Sequence, residues 1–131
     1  MIIGYCSVSR LEPRAHLERQ KERLAAIGAQ QLYTEQTGRR WPELERAIES
    51  ARAGDVIAAT KPYRIATSQR GILALIDRLA RKGIGLKILD TPVDTSTTTG
   101  RMVLGSAPLY SLGMSPLFSL LRDLGLGRLR G

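Results

Sequence analysis

The residues of this sequence best equipped for chemistry are a hydroxyl, a carboxylate and several arginines, all falling at the ends of candidate elements. Ser9 follows the run Ile2-Ile3-Gly4-Tyr5-Cys6-Ser7-Val8, which is rich in β-formers and reads as a buried first strand. Glu35 closes a second short strand beginning at Gln31, and the basic stretch from Lys61 to Ser68 follows a third, Asp55 to Thr60. In open parallel sheets, ligands sit at the carboxyl ends of the strands, so these three places are expected to converge. The chemistry such a cluster suits is recognition of phosphate, because a planar guanidinium donates two hydrogen bonds to one oxyanion. Arg64 lies within the third of these places, Arg10 directly follows Ser9, and Arg39 and Arg40 lie in the basic loop Thr37 to Trp41. Taken alone, Ser9 is an ordinary strand-end hydroxyl.

The elements that must position these groups alternate in type. A helix is expected over Arg14 to Ala26, where Leu17, Leu24 and Ile27 fall near one face and Gly28 gives a stop. Pro42 suits the first turn of a second helix, in which Leu44, Ala47, Ile48 and Ala51 follow the spacing of one buried face and Gly54 ends it. A third helix is expected over 69–82, with Ile72, Leu75, Ile76 and Leu79 as its stripe, before a fourth strand from Gly85 to Leu89. Strand and helix alternating in this way predict an α/β fold built around a mostly parallel sheet. From residue 101 onward, Gly105, Pro108, Gly113, Pro116, Gly125 and Gly127 argue against one long helix, since an interior proline costs about 3 kcal/mol. Short helices over Arg101 to Leu104 and Leu117 to Leu124 are expected there instead.

Composition narrows the function classes. A chain of 131 residues suits one domain, and its 43% hydrophobic content contains no apolar run approaching the roughly 20 residues of a membrane-spanning helix. The start lacks the pattern of a secretory signal, which makes the cytoplasm the expected compartment. One cysteine, Cys6, and one histidine, His16, exclude an internal disulfide framework and leave too few ligands for a zinc site. No cofactor is expected either, since no glycine-rich dinucleotide fingerprint follows the first strand. The net charge of +8, mainly arginine, is compatible with a nucleic-acid partner and equally with a basic protein that has none. Trp41, beside a proline at a helix start, reads as a packing residue, and His16 as a solvated side chain.

Three stretches resemble the serine site-specific recombinases of the resolvase and invertase type, over roughly residues 2 to 104. Gly4 to Ser9 is similar to the family's strand ending in Tyr-Ala-Arg-Val-Ser. Lys61-Pro62-Tyr63-Arg64-Ile65-Ala66-Thr67-Ser68 resembles its Lys-Leu-Asp-Arg-Leu-Ala-Arg-Ser loop. Asp94-Thr95-Ser96-Thr97-Thr98-Thr99-Gly100-Arg101 resembles its Asp-Thr-Ser-Thr-Pro-Thr-Gly-Arg segment. The resemblance implies a catalytic domain over 1–104, a three-layer α/β/α arrangement with a sheet of roughly four to five strands. It also implies a reaction in which Ser9 attacks a scissile DNA phosphate, forms a 5′-phosphoserine link and leaves a free 3′-hydroxyl. Arg64, Gln20 and Glu35 match family site positions. Arg10, Arg39, Arg40, Lys61 and Arg101 are the candidate DNA contacts. Such recombinases dimerise, and assemble as tetramers at synapsis.

The sequence also departs from the family. Ser7 and Thr67 stand where it carries arginines, and Tyr63 where it carries an aspartate. A Gly- and Pro-broken tail over 105–131 replaces its long dimerisation helix, and no helix-turn-helix reader is recognisable. Two readings follow: a recombinase that cuts and rejoins DNA without membrane, metal or cofactor, or a non-catalytic module of the same fold that binds DNA or a recombinase subunit. Retention of Ser9, Gln20, Glu35 and Arg64 favours the first, and the replaced arginines favour the second.

Overall fold

The computed structural model describes residues 1–37 and 40–95. Four strands, β1 (Ile2–Val8), β2 (Ala29–Gln36), β3 (Val56–Ala59) and β4 (Gly85–Ile88), form one sheet in the order β2-β1-β3-β4, every pairing parallel. Helices α1 (Arg14–Ala26), α2 (Pro42–Ser50) and α3 (Gln69–Arg81) connect them, and a short 3-10 turn over Pro62–Arg64 follows β3. The α/β class is as expected. Where a plain loop was expected after the third strand, the structure has that 3-10 turn. The expected helices beyond residue 100, the tail over 105–131 and the boundary at residue 104 lie outside the described residues.

The strand order explains the layers. From β1 the chain crosses to one side to make β2, then passes back over β1 to make β3 and continues outward to β4. Right-handed crossovers in opposite directions put their helices on opposite faces of the sheet. Cys6, Leu24 and Ala58 accordingly form a small core with Leu17 and Ile27 of the α1 region. On the other face Ile3, Tyr5, Ile57, Ala59 and Leu86 join Leu44, Ile48, Ile72 and Leu79 of α2 and α3 in the main core. Trp41 is buried there and stacks on Tyr5, the ring centroids 6.3 Å apart at 17°, so it packs in the interior.

Two termini show how the sequence sets these boundaries. Ser68 caps α3 by accepting the Gly71 N–H at 2.9 Å on its Oγ. Helix α2 has no side-chain cap of its own. A carboxylate oxygen of Glu35, on the neighbouring strand, accepts the Glu43 N–H at 2.9 Å instead, placing a negative charge where the first-turn amides leave donors open. Beyond β4 the chain folds back: Lys87 bridges to Asp94, and the Thr95 Oγ1 accepts the Leu86 N–H at 2.8 Å. The segment beginning at Asp94 therefore starts along the far edge of the sheet.

Candidate functional site

The strand order reverses between β1 and β3, and at their carboxyl ends a parallel sheet leaves a crevice open to ligands. Pairing of β1 with β3 runs only from Ile2 to Gly4, so the last residues of β1 have no strand on that side. A buried backbone polar group without a partner is costly, and the chain fills the gap with side chains. Gln20 of α1, itself buried, accepts the Ser7 N–H at 3.0 Å on Oε1 and donates from Nε2 to the Ser7 carbonyl at 2.8 Å. Arg64 Nη1 donates to the same carbonyl at 3.1 Å, while the Ser7 hydroxyl donates to the Arg64 carbonyl oxygen. These bonds pin the end of β1 to the turn after β3, and Ser9 stands two residues beyond the pinned point.

Arg64 is 7% exposed, its guanidinium carbon lying 4.8 Å from the centre of the Tyr63 ring. Tyr63 thus supplies a π face where the family loop carries a carboxylate. The counter-charge comes from Glu12, whose Oε1 lies 2.7 Å from Arg64 Nη1 and also accepts the Ser9 N–H at 2.9 Å. Oε2 of Glu12 lies 2.9 Å from His16 Nδ1. Burial pushes the Glu12 carboxyl up, but its bonds to His16, the Ser9 amide and Arg64 outweigh that and hold it down at about 2. Cys6 is no rival nucleophile: burial raises its thiol to about 11.

Beside Arg64 lies a recess of about 170 Å³ lined by His16, Arg19, Gln20, Arg23, Thr60, Lys61, Tyr63 and Arg64. Asp90 pairs with both Lys61, at 2.7 Å, and Arg23, and is held down at about 2, chiefly by the hydrogen bond from Arg23. The lining thus carries more positive than negative charge, and the Arg19 side chain is exposed on it.

Of the residues singled out from sequence, the structure brings together Ser9, Arg64 and Gln20, with Lys61 in the adjoining recess. Ser9 is half-buried, and Arg10 and Arg40 are exposed. Glu35 is buried on β2, its two oxygens taken by the Tyr5 hydroxyl and the Glu43 N–H, so it bears on the core and on α2. Arg39 and Arg101 lie outside the described residues. Sequence reasoning missed Glu12 and, though the His16 side chain is 41% exposed, missed its contact with Glu12. The spacing of four between them across the start of α1, and of three between Ser9 and Glu12, were the available signals.

The Glu12 interactions carry a pH dependence. A carboxyl whose folded pKa lies below its unfolded value stabilises the fold above the unfolded value, near 4.5, and loses that contribution as pH falls towards 2. Urea midpoints measured at pH 7, 4 and 3 are expected to fall across that window, and Glu12→Gln to flatten the fall. An equal fall in the variant would show that Glu12 does not carry it.

The fold is a parallel α/β sheet with a serine and a buried arginine at its switch point, and comparison with known proteins gives the family. The model of the resolvase N-terminal domain matches residues 2–110. The chain is 31% identical over 104 residues to the serine recombinase gin of Escherichia phage Mu, covering 77% of this chain and 53% of that protein. It is 35% identical over 133 residues to a resolvase of Clostridium perfringens (strain 13 / Type A), covering 95% and 65%. The N-terminal catalytic domain of TP901-1 integrase superposes with a TM-score of 0.64, covering 94% of this chain and 97% of that one at 23% identity, a likeness of fold. The chain belongs to the serine recombinase family, and spans about half the length of several relatives it matches. Among the described residues no helix is long and apolar enough to cross a membrane.

Proposed function

We propose that this chain is the catalytic part of a site-specific DNA recombinase in which Ser9 is the nucleophile. The observation that carries the reading is that the Ser9 N–H and the buried Arg64 guanidinium meet on one oxygen of Glu12 at the crevice between β1 and β3, in a chain of this family. The Ser9 Oγ gives up its proton as it forms a bond to the scissile phosphorus, the bond from phosphorus to the 3′ oxygen breaks, and that oxygen takes up a proton and leaves as a hydroxyl. Religation reverses the step, the phosphoserine ester conserving the bond. Arg64 stabilises charge on the phosphoryl oxygens, a role that needs a donor fixed before the reaction. Gln20 and Glu35 act as positioning residues, Gln20 on the end of β1 and Glu35 on Tyr5 and α2. Arg10, Arg39, Arg40, Lys61 and Arg101 contact the DNA backbone, and the recess beside Arg64 receives a flanking phosphate. Such a protein works in the cytoplasm, dimerises, and forms tetramers when two sites synapse.

The test is covalent trapping on nicked DNA. A protein–DNA adduct is expected with the wild-type chain and none with Ser9→Ala. Adducts in both would remove Ser9 from the role. A second reading, a non-catalytic DNA-binding or recombinase-subunit-binding module, is favoured by Ser7, whose hydroxyl is turned to the Arg64 backbone in place of a charged donor. DNA binding without any adduct would select it.

A further inference from the structure

The groups around Ser9 that are placed to hold an oxyanion already hold one. The Ser9 N–H, Arg64 Nη1 and His16 Nδ1 all meet the carboxylate of Glu12, at 2.9, 2.7 and 2.9 Å. Two of them, the amide of the proposed nucleophile and the buried guanidinium, are what a phosphoryl group attacked by Ser9 would need. A carboxylate and a phosphodiester make the same charge-assisted bonds with the same donors, so they compete for one place. A second observation points to a larger anion. The Nε of Arg64, in a side chain only 9% exposed, has no hydrogen-bond partner among the described residues, so a buried donor stays open while Glu12 is bound.

We propose that Glu12 is a self-supplied occupant of the phosphate seat beside Ser9, and that a DNA phosphodiester enters only by displacing its carboxylate. The inference rests on the reading of Ser9 and Arg64 given above and adds a residue that gates access to them. Glu12 lies in the turn between β1 and α1, next to the fully exposed Leu11 and the exposed Arg10. Its side chain therefore has solvent to move into, whereas Arg64 is held at Ser7 and has none. Displacement leaves Arg64 and the Ser9 amide in place and changes only the anion between them. An apparent affinity is reduced by the fraction of molecules whose site is vacant, so a seat vacated in about a tenth of the molecules binds phosphate about 10-fold more weakly than an empty one.

The experiment follows the Ser9 backbone amide by NMR while inorganic phosphate is titrated into the full chain, for the wild type, Glu12→Gln and Glu18→Gln. Glu18 is an exposed acid of α1 paired with Lys21, so its variant makes the same change in net charge away from the seat. Glu12→Gln is expected to bind phosphate at Ser9 about 10-fold more tightly than wild type, with Glu18→Gln within about 2-fold of wild type. Equal affinity in all three, an equal gain in both variants, or a Ser9 amide that phosphate never shifts would each overturn the proposal. Should Glu12→Gln not fold, Glu12→Asp, which draws the charge back by one methylene, must show the gain, and no gain there overturns it. A DNA duplex titrated in parallel separates the two levels. If phosphate behaves as expected and DNA is not bound, the recombinase reading fails and the seat stands; if DNA is bound and cleaved with no effect of Glu12, the reverse holds.

Discussion

Replacing Arg64 with alanine is expected to destabilise the domain by about 3 kcal/mol and to lower the rate of any Ser9–DNA adduct by about 100-fold or more. Two separate losses combine in stability. The Ser7 carbonyl loses one of its two donors, and the Glu12 carboxylate, itself partly buried, loses the cation at 2.7 Å. Removing one member of a buried pair costs more than the pair contributes, because the remaining charge stays desolvated. The loss in rate has a different origin: the only buried guanidinium among the described residues goes with it. Arg64→Lys separates the two. A lysine restores a charge near Glu12 but lacks the fork and the stacking on Tyr63, so it is expected to recover part of the stability and little of the rate. Urea denaturation and the trapping assay read the two quantities, and a variant that kept wild-type adduct formation would take Arg64 out of the site.

Gln20→Leu is expected to cost about 2–3 kcal/mol, since a buried donor or acceptor left without a partner costs roughly 1–3 kcal/mol. The Ser7 N–H would lose the acceptor at 3.0 Å, and the Ser7 carbonyl would keep only Arg64. For a domain of this size that corresponds to a drop in Tm of roughly 7–14 °C. Leucine matches glutamine in size, so a void is not the cause. Gln20→Glu keeps the acceptor but turns the donor facing the Ser7 carbonyl into a second oxygen, and is expected to do no better. A loss below about 1 kcal/mol in thermal and urea melts of Gln20→Leu would mean that water replaces the carboxamide, and that the end of β1 is not held from α1.

The elements of this chain were legible in its sequence because their determinants are local. The β-formers from Ile2 to Val8 and the stripes of α2 and α3 each repeat within a few residues, and the helix starts carry a proline at residue 42 and a capping serine at residue 68. The sequence by itself therefore determined the alternating α/β order, the excess of basic charge, and the place of Ser9 at the end of a strand and of Arg64 just after another. Only the tertiary structure decided what meets there. The order β2-β1-β3-β4 puts Ser9 and Arg64 on either side of one crevice. The premature end of the β1–β3 pairing turns Gln20 from a candidate participant into the partner of a strand end. Glu35 serves Tyr5 and α2, and Glu12 takes the place between Ser9 and Arg64. The physical reason is common to all of these. Periodicity reports which face of an element is buried, whereas which polar groups pair depends on which strand ends are left without neighbours, and that is known only once strands distant in sequence lie side by side.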